Sequence, residues 1–323
     1  MATTRPNLNA VALVPEELDS EVCSTGFSVL RPTQLIDPSF LFAFVQTRYF
    51  IETVSGAVKG MLYPAVTDKQ VRNVYLPLPA LADQRRIARR IQELMQEVEG
   101  ARAACEKQLE AAKALPSAHL RAVFESEESK KWERKKLRGV VKEFMSGGTP
   151  NTGIPQYWDG DIPWITGADV TNLWVSNGRK FITEEGLNNS ATHLVKKNTV
   201  LIVTRTGVGK IGIAANDLCF SQDITGVFCN EKILPEFLVR YLLYQGDMLI
   251  RVQRGATIKG LTRDDIELLE VFMPPLPEQN RIVSYLKEKM AQLENLKSAI
   301  QNQQSALDAL PQSILRKAFR GEL

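Results

Sequence analysis

The sequence predicts an α+β protein in which two versions of one strand-rich module are joined by two long helices that pair with each other. Three features carry that reading: an internal repeat, a narrow apolar stripe of helical spacing in each copy, and short β-rich runs separated by Gly, Pro and Asn turns. The repeat decides most. Leu78-Pro79-Ala80-Leu81-Ala82-Asp83-Gln84-Arg85-Arg86-Ile87 is matched, 195 residues later, by Met273-Pro274-Pro275-Leu276-Pro277-Glu278-Gln279-Asn280-Arg281-Ile282. The same offset of 195 carries Pro116 to Pro311 and Phe124 to Phe319 without a gap. A chain of two like modules suits a partner that itself comes in two halves.

The chain's 323 residues, 44% hydrophobic and 24% charged, fit two soluble domains with real cores. No run of eighteen apolar residues exists, and the N-terminus lacks a charged-then-apolar leader, so a cytoplasmic protein with no membrane contact is expected. Four scattered cysteines without a C-x-x-C pair, and two histidines, argue against zinc and against a disulfide framework. A net charge of +3 does not by itself announce nucleic acid. The local cluster Lys130, Lys131, Arg134, Lys135, Lys136, Arg138 and Lys142 reads first as a solvated linker and second as a phosphate contact.

In chain order, residues 1–80 form the first module and residues 81–126 the first spacer helix. Residues 127–275 form the second module, and residues 276–323 the second spacer helix and tail. The first helix carries Ile87, Ile91, Leu94, Val98, Ala101, Cys105, Ala112 and Leu115 in one stripe; the second carries Ile282, Leu286, Leu293, Leu296, Ile300, Leu307 and Leu310. Stripes this narrow belong to a coiled-coil seam. Gln108 and Gln303 are placed at one shared seam position, where a polar residue fixes register. Asp83 and Glu278 suit the positive helix start, and Pro116 and Pro311 are expected to disturb each helix near its end. Parallel pairing would bring the modules together; antiparallel pairing would put one at each end.

Within the second module, Asp161–Gly167, Thr199–Thr204 and Lys210–Ala215 read as strands, and Pro235–Gln245 and Thr262–Leu269 as helices. The first module matches only the back half of the second. Thr25-Gly26 is aligned with Thr225-Gly226, Pro38-Ser39-Phe40-Leu41 with Pro235-Glu236-Phe237-Leu238, and Val71 with Ile266. Nothing in it answers to Trp132 through about Arg205. The first module is therefore expected to be shortened, through either a late start or a natural truncation.

Catalytic patterns do not assemble. Gly207-Val208-Gly209-Lys210-Ile211-Gly212 fits G-x-G-x-x-G, but a dinucleotide site requires that loop to open a helix, and Ile211–Asp217 reads as a strand and turn. As a P-loop it fails, with Thr204 in place of the first glycine and Ile211 in place of the magnesium-binding hydroxyl. Asp37-Pro38-Ser39-Phe40 looks only distantly like a methyltransferase loop and reads as a helix start. No Ser/His/Asp or Cys/His set is available.

Several motifs in order resemble one family. Gly255-Ala256-Thr257-Ile258-Lys259-Gly260-Leu261-Thr262 followed by Met273–Val283 resembles the end of a target-recognition domain in type I restriction-modification specificity (S) subunits. Ser146-Gly147-Gly148-Thr149-Pro150 with Ile162-Pro163-Trp164-Ile165 resembles the opening of such a domain, and Ile314–Leu323 the family's ending. The resemblance implies two target-recognition domains joined by long helices paired as an antiparallel coiled coil that sets the distance between the halves of a split double-stranded DNA site. It also implies a subunit without catalysis or cofactor, held against two methylation (M) subunits and motor-nuclease (R) subunits. S-adenosylmethionine, ATP and magnesium belong to those partners. With a shortened first module, only residues 131–275 are expected to retain a full reader. A protein-only adaptor and a nucleotide-dependent enzyme are the competing readings.

Base edges call for Arg, Lys, Asn or Gln, and phosphates for Lys, Arg and small-residue loops. The candidates in the second module are Thr149, Thr166, Arg205, Thr206, Lys210, Gln222, Arg254, Thr257 and Lys259. Arg205 and Gln222 are favoured for bases, and Lys210, Arg254 and Lys259 for phosphates. Lys259→Ala is expected to weaken binding alike on all sequences and to flatten its salt dependence. Trp158, Trp164 and Trp174 read as core before they read as base-stacking platforms.

Overall fold

In the computed structural model, which describes residues 1–19, 21–56, 65–246, 249 and 260–323, the chain falls into two compact units. One comprises Met1–Ala112 and Leu296–Leu323, the other Lys113–Asn295. The first holds helices α1 (Pro38–Val45), α2 (Arg48–Gly56), α3 (Asp68–Arg72) and most of the first long helix α4 (Leu81–Phe124). Among its described residues there is no strand, only the bridges Ala2–Phe27 and Thr4–Ala65.

The second unit is strand-rich. A five-stranded sheet runs in the order β2 (Val141–Ser146), β9 (Ile224–Cys229), β6 (Val200–Val203), β7 (Ile211–Ala214), β4 (Trp174–Val175). A three-stranded sheet orders β5 (Lys180–Ile182), β3 (Trp158–Ile165) and β8 (Cys219–Phe220), and β1 (Arg134–Lys136) pairs with β10 (Glu270–Phe272). Helices α5 (Glu184–Asn188), α6 (Pro235–Tyr244), α7 (Arg263–Glu267) and the start of the second long helix α8 (Leu276–Phe319) complete it. The strands and helices read from the sequence fall where expected, shifted at their ends by one to three residues.

All four residues of β6 are buried because the sheet is covered on both faces. Strand alternation sends Val200 and Ile202 to the side of Phe237, Leu242, Ile282 and Leu286, and Leu201 and Val203 to the side of Ile165, Phe220 and Ile224.

Helix pairing is visible inside each unit. In the first, Ile87, Ala88 and Ile91 pack with Leu315 and Ala318, and Arg102 meets Asp308 at 3.0 Å. In the second, Phe124 shares a core with Ile282 and Leu286. In both units early α4 or α8 residues face late residues of the other helix, so the pairing is antiparallel. Ile87, Ile91, Val98, Ile282, Leu286, Leu293 and Ile300 are buried, and Leu94 and Leu307 half-buried.

Four seam assignments need correction. Gln108, Gln303, Leu296 and Leu310 are exposed, and the stripe runs instead through Arg102, Leu109, Lys297 and Gln304. With 3.6 residues per turn, position 304 lies roughly 20° around the helix from Leu293, but 303 lies roughly 80° away. The apolar character of Leu296 and Leu310 masks the alternation of four and three residues that geometry imposes. Both long helices also continue through Pro116 and Pro311 without interruption.

The repeat extends into matched hydrogen bonds. Gln84 and Gln279 are both fully buried. The Gln84 amide donates to the carbonyls of Leu35 and Pro79 and accepts from the Asp37 N–H, each at 2.9 Å. Gln279 donates to Lys232 and Pro274 and accepts from the Leu234 N–H, each at 2.9 Å. One side chain thus ties a long-helix start to the loop that opens α1 or α6. A second matched set corrects the alignment of Thr25-Gly26. Thr3 donates through its N–H and hydroxyl to Gly26 O, as Thr204 does to Asp223 O. Thr3 O accepts from Val66 N–H as Thr204 O accepts from Leu261 N–H. Gly26 therefore answers to Asp223, at the offset of 197 that also relates Asp37 to Leu234.

Gln279→Ala strands the Leu234 N–H and two carbonyls, and should lower the unfolding free energy by roughly 3–5 kcal/mol. Gln303→Ala, on the exposed side, should change it by no more than about 0.5 kcal/mol. Urea denaturation followed by circular dichroism measures both; equal effects would contradict the assignment.

Candidate nucleic-acid interface

The strand directions gather four loops at one end of the second unit's sheets. Antiparallel pairing sets the end of β2 beside the start of β9, and the end of β6 beside the starts of both β9 and β7. The end of β3 lies beside the end of β8. The loops at 147–149, 166–169, 204–210 and 221–223 therefore share an edge, and they carry six of the nine sequence candidates. The Thr149 hydroxyl hydrogen-bonds the Gln222 side-chain carbonyl, and the Lys210 ammonium donates to Gly167 O at 3.3 Å. Arg205 and Thr206 are exposed at the tip between β6 and β7. Arg254, Thr257 and Lys259, with the Gly255–Lys259 motif, lie outside the described residues.

Small residues let these loops approach. A Cβ on Gly147 would stand 2.3 Å from the carbonyls of Phe220 and Ser221, so only glycine lets β2 end against that turn. Gly207 and Gly209 have φ of 98° and 97°, which fold the β6–β7 connection into a tight loop. That loop opens the strand β7 and not a helix, so its amides do not form the phosphate cradle of a dinucleotide site.

Polar bracing fixes the 166–169 loop. The Thr166 N–H and hydroxyl donate to the Asp169 carboxylate at 2.8 and 2.7 Å, and Arg179 adds a charged contact at 3.0 Å. Burial works against the Asp169 charge, but the bonds from Thr166 and Arg179 outweigh it and hold the carboxyl below its ordinary value. The hydroxyl of Thr166 is thus engaged internally. The three-residue Thr-to-Asp spacing was a readable signal for this brace, yet sequence reasoning overlooked Asp169 and Arg179. Trp164 is buried with its indole N–H on Gly148 O at 3.0 Å, and Trp158 packs edge-on against it, so both serve the scaffold beneath the loops. Trp174 is 40% exposed.

Part of the basic cluster around the start of β2 is paired locally. Lys130 meets Glu127, Lys135 meets Glu133, Lys136 meets Glu270, and Arg134 lies over the Phe272 ring. Burial pushes the Cys219 thiol up to about 11 and that of Cys229 to about 12, so neither is a thiolate near neutrality. Among the described residues no group of His, Cys, Asp or Glu could hold a metal, and no helix is long and apolar enough to cross a membrane.

Residues 3–110 and 129–304 match the family model described as type I restriction modification DNA specificity domain. The chain belongs to this family. It is 30% identical over 175 residues to the type I restriction enzyme MjaIX specificity subunit of Methanocaldococcus jannaschii, covering 52% of this chain and 40% of that protein. It is 23% identical over 335 residues to the EcoDI specificity subunit of Escherichia coli, covering 92% of this chain and 74% of that one. The crystal structure of the HsdS subunit from Thermoanaerobacter tengcongensis superposes with a TM-score of 0.73 at 30% identity, over 100% of this chain and 80% of that chain. The duplicated layout with long paired helices is thus a family fold. The relatives are specificity subunits, which are not the catalytic components of type I restriction enzymes.

Asp169→Asn should lower stability by about 1–2 kcal/mol near neutral pH by weakening the hydrogen bonds from Thr166 and Arg179. A carboxyl held low in the fold contributes above its unfolded pKa, and the contribution is lost as pH falls through the folded value. The gap between wild type and variant should therefore close below about pH 4. Denaturation at stepped pH reads this, and a gap that stayed constant would reject the brace.

Proposed function

We propose that this chain is the DNA sequence-recognition subunit of a type I restriction-modification complex and performs no chemistry itself. The observation that supports it best is the convergence of Thr149, Thr166, Arg205, Thr206, Lys210 and Gln222 on loops at one end of the second unit's sheets. Arg205 and Gln222 offer side chains able to bond two acceptors or a donor–acceptor pair on a base edge. Lys210 supplies a cation suited to a phosphate. Arg254, Thr257 and Lys259 extend the proposed contact set, with Lys259 and Arg254 on phosphates.

The first module keeps part of the same device. Ala2 N–H donates to Ala10 O as Val203 N–H donates to Lys210 O, so the 4–9 segment stands where the β6–β7 loop stands in the second module. Arg5 and Asn7, both exposed, are proposed contacts to the first half of a split site. In this reading residues 1–80 belong to one reader and residues 127–275 to the other. The helices at 81–126 and 276–323 set the spacing. Two methylation subunits and motor-nuclease subunits assemble on the chain in the cytoplasm and supply the sites for S-adenosylmethionine, ATP and magnesium.

Binding of the reconstituted methylation complex to its own modified genomic motif tests the proposal. Arg205→Ala should relax discrimination at one base pair by about 1–3 kcal/mol while leaving binding to other positions intact. A uniform loss on all sequences would remove Arg205 from base reading, and absence of any sequence preference in the wild-type complex would reject the proposal.

A further inference from the structure

An arginine outside the proposed contact set is held by a carboxylate at the loop end of the second unit. Arg179 stands just before β5, and the antiparallel register of β3 and β5 sets Trp164 opposite Lys180. Arg179 therefore lies beside the end of β3, at the edge that carries the 147–149, 166–169, 204–210 and 221–223 loops. Gly178 permits that approach, since a Cβ there would stand 2.5 Å from Trp164 O. The 166–169 loop in turn abuts the β6–β7 connection. A Cβ on Gly167 would meet Val203 Cγ1 and Thr206 O at 2.7 and 2.9 Å. Arg179, Asp169, Thr206 and Lys210 thus belong to neighbouring loops of one edge.

The ion pair divides its atoms between two tasks. Asp169 Oδ2 accepts both the N–H and the hydroxyl of Thr166, while Oδ1 accepts the Nε–H of Arg179 at 3.0 Å. A guanidinium bonded through Nε keeps four N–H groups, two on each terminal nitrogen. Among the described residues no acceptor engages those four. The Asp169 side chain is 8% exposed and that of Arg179 is 75% exposed. A pair so open on one side adds little to stability, so its effect is on orientation: a long side chain is restrained with its terminal edge free. The neighbouring cation differs, for the Lys180 ammonium lies 4.9 Å from the centre of the Trp158 ring. Arg263 also bonds through Nε, but to Glu267 one turn along α7, an ordinary surface pair.

We propose that Arg179 reads a guanine, its two terminal amino groups donating to O6 and N7 in the major groove, and that Asp169 is the positioning residue that aims it. The inference rests on the DNA-recognition reading above and adds to it a contact, a base and the residue that orients the contact. Guanine is the base whose major-groove edge offers two acceptors side by side, which suits a fork made only of donors. Adenine offers one acceptor and a donor, cytosine a donor, and thymine one acceptor, so each leaves an arm of the fork unmatched. Holding the guanidinium before DNA arrives removes part of the ordering cost from the binding step. Lysine is no substitute, because it lacks the planar fork.

The test is the affinity of the reconstituted methylation complex for its genomic motif, with each specified base pair changed in turn. Arg179→Ala and Arg179→Lys should each lose about tenfold to a hundredfold discrimination at one G·C pair. Discrimination elsewhere should be kept, including at the pair relaxed by Arg205→Ala. Replacing that guanine by 7-deazaguanine, which lacks the N7 acceptor, should weaken the wild-type complex and leave Arg179→Ala unaffected. Asp169→Asn should reduce discrimination at the same pair alone, a selectivity that a weakened fold would not show. Circular dichroism establishes that each variant is folded. Uniform loss on all sequences, no loss at any G·C pair, or an equal response of wild type and Arg179→Ala to 7-deazaguanine would overturn the assignment. Full discrimination in Asp169→Asn would remove its positioning role. If Arg205→Ala still relaxes its own pair in those cases, the recognition reading survives; a wild-type complex with no sequence preference would reject both.

Discussion

A buried glutamine amide at the start of each long helix is the constraint on which the rest of the structure depends. Gln84 and Gln279 each satisfy two carbonyls and one N–H that the fold removes from water. An amide is the one neutral side chain that can donate twice and accept once in that geometry. Leucine would leave three backbone groups unsatisfied, and glutamate would place a charge where two carbonyls already face inward. The consequence is positional: each glutamine joins the helix start, the proline-bearing segment before it and the loop that opens α1 or α6.

The helices show how a seam is specified by few residues. Leu293 and Ile300 are buried, and their spacing of seven forces position 297 into the seam although it is lysine. The long aliphatic stem of lysine lies along such a seam while its charge stays near water. Leu296 and Leu310 are apolar but fall on the outer flank. In the first helix Arg102 takes the role of Lys297, and its ion pair with Asp308 holds the two helices together within the first unit. These polar seam positions recur in both copies.

The repeat, the long helices and the main strands of the second unit were legible in the sequence because each leaves a periodic signal. The seam register was not, because an apolar residue one step out of phase mimics membership. The alignment of Thr25-Gly26 failed for a related reason. Short Thr-Gly pairs occur on both sides of a turn, and only the hydrogen bonds of Thr3 and Thr204 identify Asp223 as the partner of Gly26. For the candidate interface, loop composition found the polar residues, but the engagement of Lys210 by Gly167 depends on strand order. Sequence patterns reveal which side chains a loop carries; topology decides which of them are already occupied.

Exchange of the 204–210 loop for that of another family member, followed by sequencing of modified bases across a host genome, tests the central claim most directly. If the second module's loops read bases while the long helices fix the spacing, the modified motif should change its bases in one half only. The number of unspecified positions between the halves should stay the same. An unchanged motif, or one whose spacing shifted with the loop, would contradict that division of labour.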